Sequence, residues 1–318
     1  MKTRKDAYTI EKPIIGGAAQ AILTPQDDPK KPLALVVHGG PGEPMTPYLD
    51  ALKPIADRFV MCLWEQRGAG MSYAADIPKE SMHISQYVDD AIAVARRLLK
   101  QYGREKLWLF GFSWGTLISV LAAQKAPELF AAYVGVGQIA SQLASEQAAY
   151  DWVMDKARAK GDKAGIRLLE EAGRPPYPKE NTMAHVLKGR KVFFKYNESP
   201  GKRPTMGKVL WGIFTCPFYT LRDKFHYIKG AQGGGAVFLE ILDVDLNKLA
   251  PALAIPVVIV QGKYDLQTMP QMAEAYVQAL EAPSKAFYLF EQSGHGANDD
   301  EPERFARVLD EALAARTP

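Results

Sequence analysis

Short, continuously apolar runs alternate along the first part of the chain with stretches whose apolar residues return every three or four positions. Leu33–Val37 and residues 59–64, 107–110 and 131–135 are runs of the first kind. Residues 85–102 are of the second: Tyr87, Val88, Ala91, Ile92, Ala95, Leu98 and Leu99 fall on one face of a helix. A strand that is apolar on both faces must be covered on both, so the alternation predicts a parallel sheet with helices on either side. Ahead of it, residues 8–12 and 16–23 read as a hairpin at one sheet edge. The alternation stops near Gly137 and resumes with residues 255–260 as strand, 270–281 as helix, Lys285–Phe290 as strand and 300–315 as a final amphipathic helix. The stretch between is rich in helix formers, aromatics and turn residues, among them Pro175-Pro176, Pro200-Gly201 and the three glycines 233–235. Residues 1–137 and 246–318 are therefore expected to form one α/β core, and residues 138–245 a helical cap, or lid, inserted into it. There are no internal repeats.

Composition narrows the possible partners. Of 318 residues, 47% are hydrophobic and 24% charged, with a net charge of +3 and no dense Lys/Arg block, so nothing points to nucleic acid. The insertion carries 17 Lys and Arg against 12 Asp and Glu, which a solvated outer face accounts for. The first ten residues are basic but have no apolar core behind them, and no stretch approaches the ~18 apolar residues of a membrane span. Neither a secretory signal nor a membrane partner is expected. Cys62 lies in an apolar run and Cys216 in a distant aromatic segment. The pair suggests free thiols in a cytoplasmic protein, without metal-ligand spacing.

The candidate chemistry sits at strand ends. Gly111-Phe-Ser-Trp-Gly115 follows the strand at 107–110 and opens an apolar helical run. A strand that turns this sharply into a helix has no room for side chains at the flanking positions, and it lifts Ser113 above the sheet at the positive end of the helix. His38-Gly-Gly-Pro-Gly42 follows the strand Leu33–Val37. Acyl transfer passes through an oxyanion that needs two rigid backbone donors. Trp114, next to the nucleophile, supplies one, and Gly40, with Gly39 as the alternative, supplies the other. His38 itself is expected to brace the loop. The acid and then the histidine should follow in chain order. Asp265 stands in the loop after 255–260, and His295 in the loop after Lys285–Phe290. Asp299 and Asp300 compete for the acid role but read as caps of the last helix. His83, His185 and His226 lack a strand-end setting.

Taken together, His38-Gly-Gly-Pro-Gly42, Glu65-Gln-Arg-Gly-Ala-Gly70, Gly111-Phe-Ser-Trp-Gly115, Gly262-Lys-Tyr-Asp265 and Gly294-His-Gly296 resemble the proline iminopeptidase family of α/β-hydrolases, serine peptidase family S33. The resemblance implies a mostly parallel eight-stranded sheet under a helical cap and no metal or cofactor. It also implies hydrolysis of short N-terminal peptides or related amides and esters. The chain departs from the family where Glu65 replaces an aspartate and Phe112 a small residue, and it lacks the cap segment whose glutamate holds the substrate ammonium. Glu146, on the first cap helix, is the leading substitute for that anchor. Glu240 and Asp243 follow, and Phe112 is a further candidate for contact with substrate. Arg67 is expected to tie its loop to neighbouring carbonyls.

The expected function is thus a serine hydrolase that works through an acyl-enzyme, most like a proline iminopeptidase or other aminopeptidase acting on a small molecule or short peptide. A carboxylesterase or lactonase for a small apolar ester would use the same machinery. An aspartate at the elbow would have pointed to an epoxide hydrolase or dehalogenase instead. A binding protein on a hydrolase scaffold usually loses a triad member, and here all three are present. Oligomeric state is not legible in the sequence.

Overall fold

The computed structural model describes residues 7–26, 30–178, 180–201 and 206–315; the first six residues, which opened the reading of the N-terminus, lie outside the described ones. Ten strands form among the described residues: β1 (Tyr8–Glu11), β2 (Ile14–Ile15), β3 (Ala18–Ala19), β4 (Ile22–Pro25), β5 (Leu33–Val37), β6 (Val60–Trp64), β7 (Leu107–Phe112), β8 (Phe130–Val136), β9 (Val257–Gly262) and β10 (Lys285–Phe290). Eight of them make one sheet in the order β1-β4-β6-β5-β7-β8-β9-β10. From β6 onward every pairing is parallel, and β4 and β1 add antiparallel at one edge. The expected hairpin is present but interrupted: β2 and β3 form their own short ladder inside it, around the turn at Gly16 and Gly17.

Successive side chains of a strand face opposite ways, and the two core clusters follow that rule. Leu33, Leu35 and Val37 enter the cluster under α2 (Ile84–Tyr102) and α3 (Trp114–Lys125). Ala34 and Val36 enter the other, with Phe305, Val308 and Leu309 of the last helix, Pro302–Ala314. Both faces are thus covered by helices, as continuous apolar strands require.

The chain runs from β5 outward to β6 and then crosses to β7 on the other side of β5. Neighbouring loops diverge at such a reversal and leave a crevice at the carboxyl ends of the strands. The loops after β5 and β7 carry the two glycine-rich motifs, so both open into that crevice.

Between β8 and β9 lie α4 (Gln142–Ala159), α5 (Lys163–Ala172), α6 (Thr182–Tyr196), α7 (Met206–Thr215), α8 (Leu221–Gly233) and α9 (Gly235–Leu242). The segment leaves and returns at one place: Ser141 pairs with Asp245, and the Leu246 and Gln142 N–H groups donate to Ala140 O and Val244 O. Its helices build a cluster of their own around Val153, Leu169, Val192 and Phe193, with Leu266 and Met269 of the loop after β9 packed into it. Among the described residues no helix is long and apolar enough to cross a membrane. Cys62 and Cys216 are both buried and free.

Candidate active site

Ser113 lies at the junction of β7 and α3 with φ +51° and ψ −118°, a conformation that side chains rarely adopt. The flanking glycines show why the turn can be so tight. A Cβ on Gly115 would lie 2.1 Å from Val37 O, and one on Gly111 2.7 Å from Gly115 O. The elbow is anchored from both sides. The Ser113 N–H donates to Val136 O at the end of β8, and Ser113 O accepts from the Thr116 N–H and hydroxyl.

The loop after β5 packs directly on the elbow. A side chain on Gly39 would meet Phe112 O at 3.2 Å and the Ser113 Cβ at 3.3 Å. His38 holds this loop, as expected. Its Nδ1 lies 2.8 Å from Gly39 O, and its Nε2 lies 3.1 Å from the Gln66 N–H. Those contacts fit a neutral ring that donates from Nδ1 and accepts at Nε2, and burial lowers the His38 pKa to about 4. Gln66 completes the clamp. Its amide donates to His38 O, and its carbonyl oxygen accepts from the Trp114 indole at 2.7 Å. Gln66 was not singled out in the sequence, although it sits inside the Glu65–Gly70 segment.

Asp265 and His295 meet. The His295 Nδ1 lies 2.8 Å from Asp265 Oδ2, with the carboxylate side chain fully buried and the imidazole 24% exposed. The Gln267 and Thr268 N–H groups donate to Oδ1, and the Gln261 amide and Thr268 hydroxyl to Oδ2. Burial alone would raise the Asp265 pKa; the adjacent His295 and the hydrogen bonds outweigh it and hold the carboxyl below its ordinary value. The acid loop and the histidine loop are also joined, since Tyr264 N–H donates to Ser293 O. The His295 ring lies against the end of β8, where a side chain on Gly137 would meet its Cε1 at 3.0 Å. Ser113 is thus bonded to Val136, and His295 lies against the next residue, Gly137.

Other expectations are corrected. Asp299 and Asp300 lie in a one-turn helix, Ala297–Asp300, and Asp300 accepts from the Gly294 N–H, so it braces the histidine loop instead of capping the last helix. Arg67 does bond the carbonyl of Gly16, but its main partner is buried Asp90, gripped through Nε and Nη2 at 2.6 and 2.8 Å. His83 caps α2, and His185 bonds Ala172 O.

The candidate substrate contacts fare differently. Glu146 is 1% exposed, and its carboxylate is taken by Arg190 of α6, the Gln142 amide and the Tyr177 hydroxyl. Its charge is already compensated, so it does not offer an open anchor to an ammonium. Exposed Glu240 accepts from the Ile84 N–H at the start of α2. Asp243 lines a separate cleft of about 300 Å³ with Leu143, Tyr177 and Leu239. Phe112 is 6% exposed within the second core cluster. The space that reaches His295 is narrow, about 10 Å³, and is bordered by Arg190, Phe193, Phe194, Asn197 and Gln267. Among the described residues no three His, Cys, Asp or Glu side chains gather as a metal site.

Comparison with known proteins agrees with the fold. Residues 32–302 match the family model described as alpha/beta hydrolase fold. The chain is 29% identical over 312 residues to "Probable aminopeptidase YbaC" of Bacillus subtilis, covering 97% of this chain and 98% of that one. It is 24% identical over 296 residues to a proline iminopeptidase of Lacticaseibacillus rhamnosus, covering 88% and 89%. A crystal structure of a proline iminopeptidase-related protein from Thermus thermophilus superposes with a TM-score of 0.65 at 20% identity, covering 97% and 98%.

Proposed function

The chain belongs to the α/β-hydrolase family, and from that premise we propose that it is a serine hydrolase of the aminopeptidase type. The observation that carries the proposal is the hydrogen bond between buried Asp265 and His295, at the same edge of the sheet as the strained Ser113. In this reading the Asp265 carboxylate fixes the imidazole with its Nδ1–H inward, which leaves Nε2 to take the proton of Ser113 as the hydroxyl attacks. The oxyanion is received by the backbone N–H of Trp114, at the open end of α3, and by that of Gly40 or Gly39. The His295 imidazolium returns its proton to the leaving amine or alcohol, and water activated by the same ring then releases the acyl group. The helices of residues 138–245 serve as the cap that borders the acyl pocket.

The preference for aminoacyl amides over simple esters is supported by two relatives of nearly matching length, one named a probable aminopeptidase and the other a proline iminopeptidase. A fluorophosphonate should modify Ser113 and abolish turnover, and Ser113→Ala should fold normally while losing ~10⁴-fold or more in rate. Full activity in Ser113→Ala would sink the proposal. Turnover of p-nitrophenyl esters with none of any aminoacyl arylamide would leave the nucleophile in place and replace the peptidase by an esterase.

A further inference from the structure

We propose that the inserted helices help to set the catalytic acid: Arg190, Gln142 and Glu146 act as positioning residues for Asp265, working through Gln267. This rests on the assignment of Ser113, Asp265 and His295 given above, and it makes the triad sensitive to the seating of α4 and α6.

Gln267 is where the two parts of the chain meet. Its N–H donates to Asp265 Oδ1 at 2.8 Å. The placement of this one residue therefore helps to fix the plane of the carboxylate whose other oxygen meets His295. The rest of Gln267 is held from the inserted helices. Its backbone oxygen accepts from the Gln142 amide of α4 at 3.2 Å, and its side-chain oxygen accepts from Arg190 Nη1 of α6 at 3.2 Å. A single buried carboxylate aims both donors. Glu146 Oε1 accepts from the Gln142 amide at 3.0 Å and from Arg190 Nη2, while Oε2 accepts from the Tyr177 hydroxyl. The apolar residues of the same loop follow suit: Leu266 and Met269 pack with Val153, Val192 and Phe193 of the inserted helices.

Location separates this role from a plain structural tie. The insertion is already fastened at its base, where Ser141 pairs with Asp245. The further fastening falls on a residue that donates to the acid. Arg190 and Gln267 also border the narrow space beside His295, so widening that space to admit an acyl group bears on the same contacts. Asp265 keeps its bonds from Gln261 and Thr268 when Gln267 is released, so the expected loss is partial. A carboxylate turned away from its best alignment supports the imidazolium less well. The chemical step suffers, not the binding of substrate.

Steady-state turnover of alanine p-nitroanilide, or of p-nitrophenyl butyrate if wild type leaves the anilide untouched, reads the effect. Arg190→Met should lower kcat at least ~10-fold while KM changes less than about 2-fold, and Arg190→Lys should keep part of the rate. The double variant Arg190→Met/Glu146→Gln leaves no carboxylate without its cation. It should resist urea better than Arg190→Met yet keep the low kcat, because Gln267 still lacks its donor. In an Asp265→Asn background Arg190→Met should cost nothing further, since the group it serves has been replaced. Full kcat in the folded variants, an effect confined to KM, a rate restored together with stability, or a full additional loss on top of Asp265→Asn would each overturn the positioning role and leave the triad standing. An Asp265→Asn protein with the wild-type rate, or a wild type inert to both substrates and to fluorophosphonate, would overturn the triad as well. Should the Arg190 variants fail to fold, Gln267→Ala deletes only the side-chain acceptor. It should show the same fall in kcat, and an unchanged kcat there would contradict the proposal.

Discussion

Two arginine–carboxylate pairs, one in the sheet domain and one among the inserted helices, are built to different standards. Arg67 and Asp90 are each 1% exposed and meet through two short hydrogen bonds. Around them Gln20 and Gln86 donate to the remaining carboxylate lone pairs, and Gly16 O accepts from the guanidinium. Arg190 and Glu146 are 12% and 1% exposed. There the guanidinium reaches Gln267 as well, but its Nε and the Gln142 carbonyl oxygen find no partner among the described residues. The first pair is closed and ties the loop after β6 to α2. The second is incomplete and stands on the narrow space beside His295. The first pair is saturated, whereas the second keeps polar atoms without a partner among the described residues.

Removing one partner from each pair measures that difference. Arg67→Met leaves Asp90 buried without its cation and should cost about 3–5 kcal/mol of unfolding free energy, read by urea titration. Arg190→Met should cost less, about 2–3 kcal/mol, because its pair is looser and partly wet. Adding Glu146→Gln to it should recover much of the loss. If Arg190→Met proved the more damaging of the two, the contrast between the regions would be wrong. Glu146→Gln alone should alter stability before it alters discrimination between charged and neutral substrates.

A smaller effect concerns pH, at a contact between the two regions. Burial raises the Glu65 carboxyl to about 7, only partly offset by the hydrogen bonds from Thr46, from Tyr219 of the inserted segment and from Met71 N–H. A raised folded-state value gives stability that is complete below the ordinary 4.5 and lost as pH rises through about 7. His38 has the opposite sign: lowered from 6.5 to about 4, it gives stability present above 6.5 and lost as pH falls through about 4. Between pH 4.5 and 6.5 the two slopes oppose each other. Glu65→Gln removes one of them. The variant should therefore lose up to about 1.4 kcal/mol per pH unit on acidification across that window, relative to wild type. Parallel stability curves for the two proteins would show that Glu65 carries no such shift.

The sheet was legible because its strands are buried on both faces, so β5 and β10 fall on the predicted residues and β6 to β9 shift by one or two. The strand-end placement of Ser113, Asp265 and His295 was legible for the same reason: each motif is local, and the strand before it fixes where it points. What failed was partnership. Glu146 looked available because nothing near it in sequence shows that Arg190, on another helix, folds onto it. Glu240 looked like a pocket residue until α2 supplied a free N–H for it to cap. Residue type and local spacing identify chemistry; whether a charge is open or satisfied depends on segments far along the chain.

The most direct test of the account is to trap the covalent intermediate. Rapid acid quench during turnover of an activated acyl substrate, followed by intact mass and peptide mapping, should show the chain heavier by one acyl group, carried on Ser113. His295→Ala should abolish that adduct's formation. An adduct on another residue, or steady turnover with no acyl-enzyme and undiminished by Ser113→Ala, would contradict it.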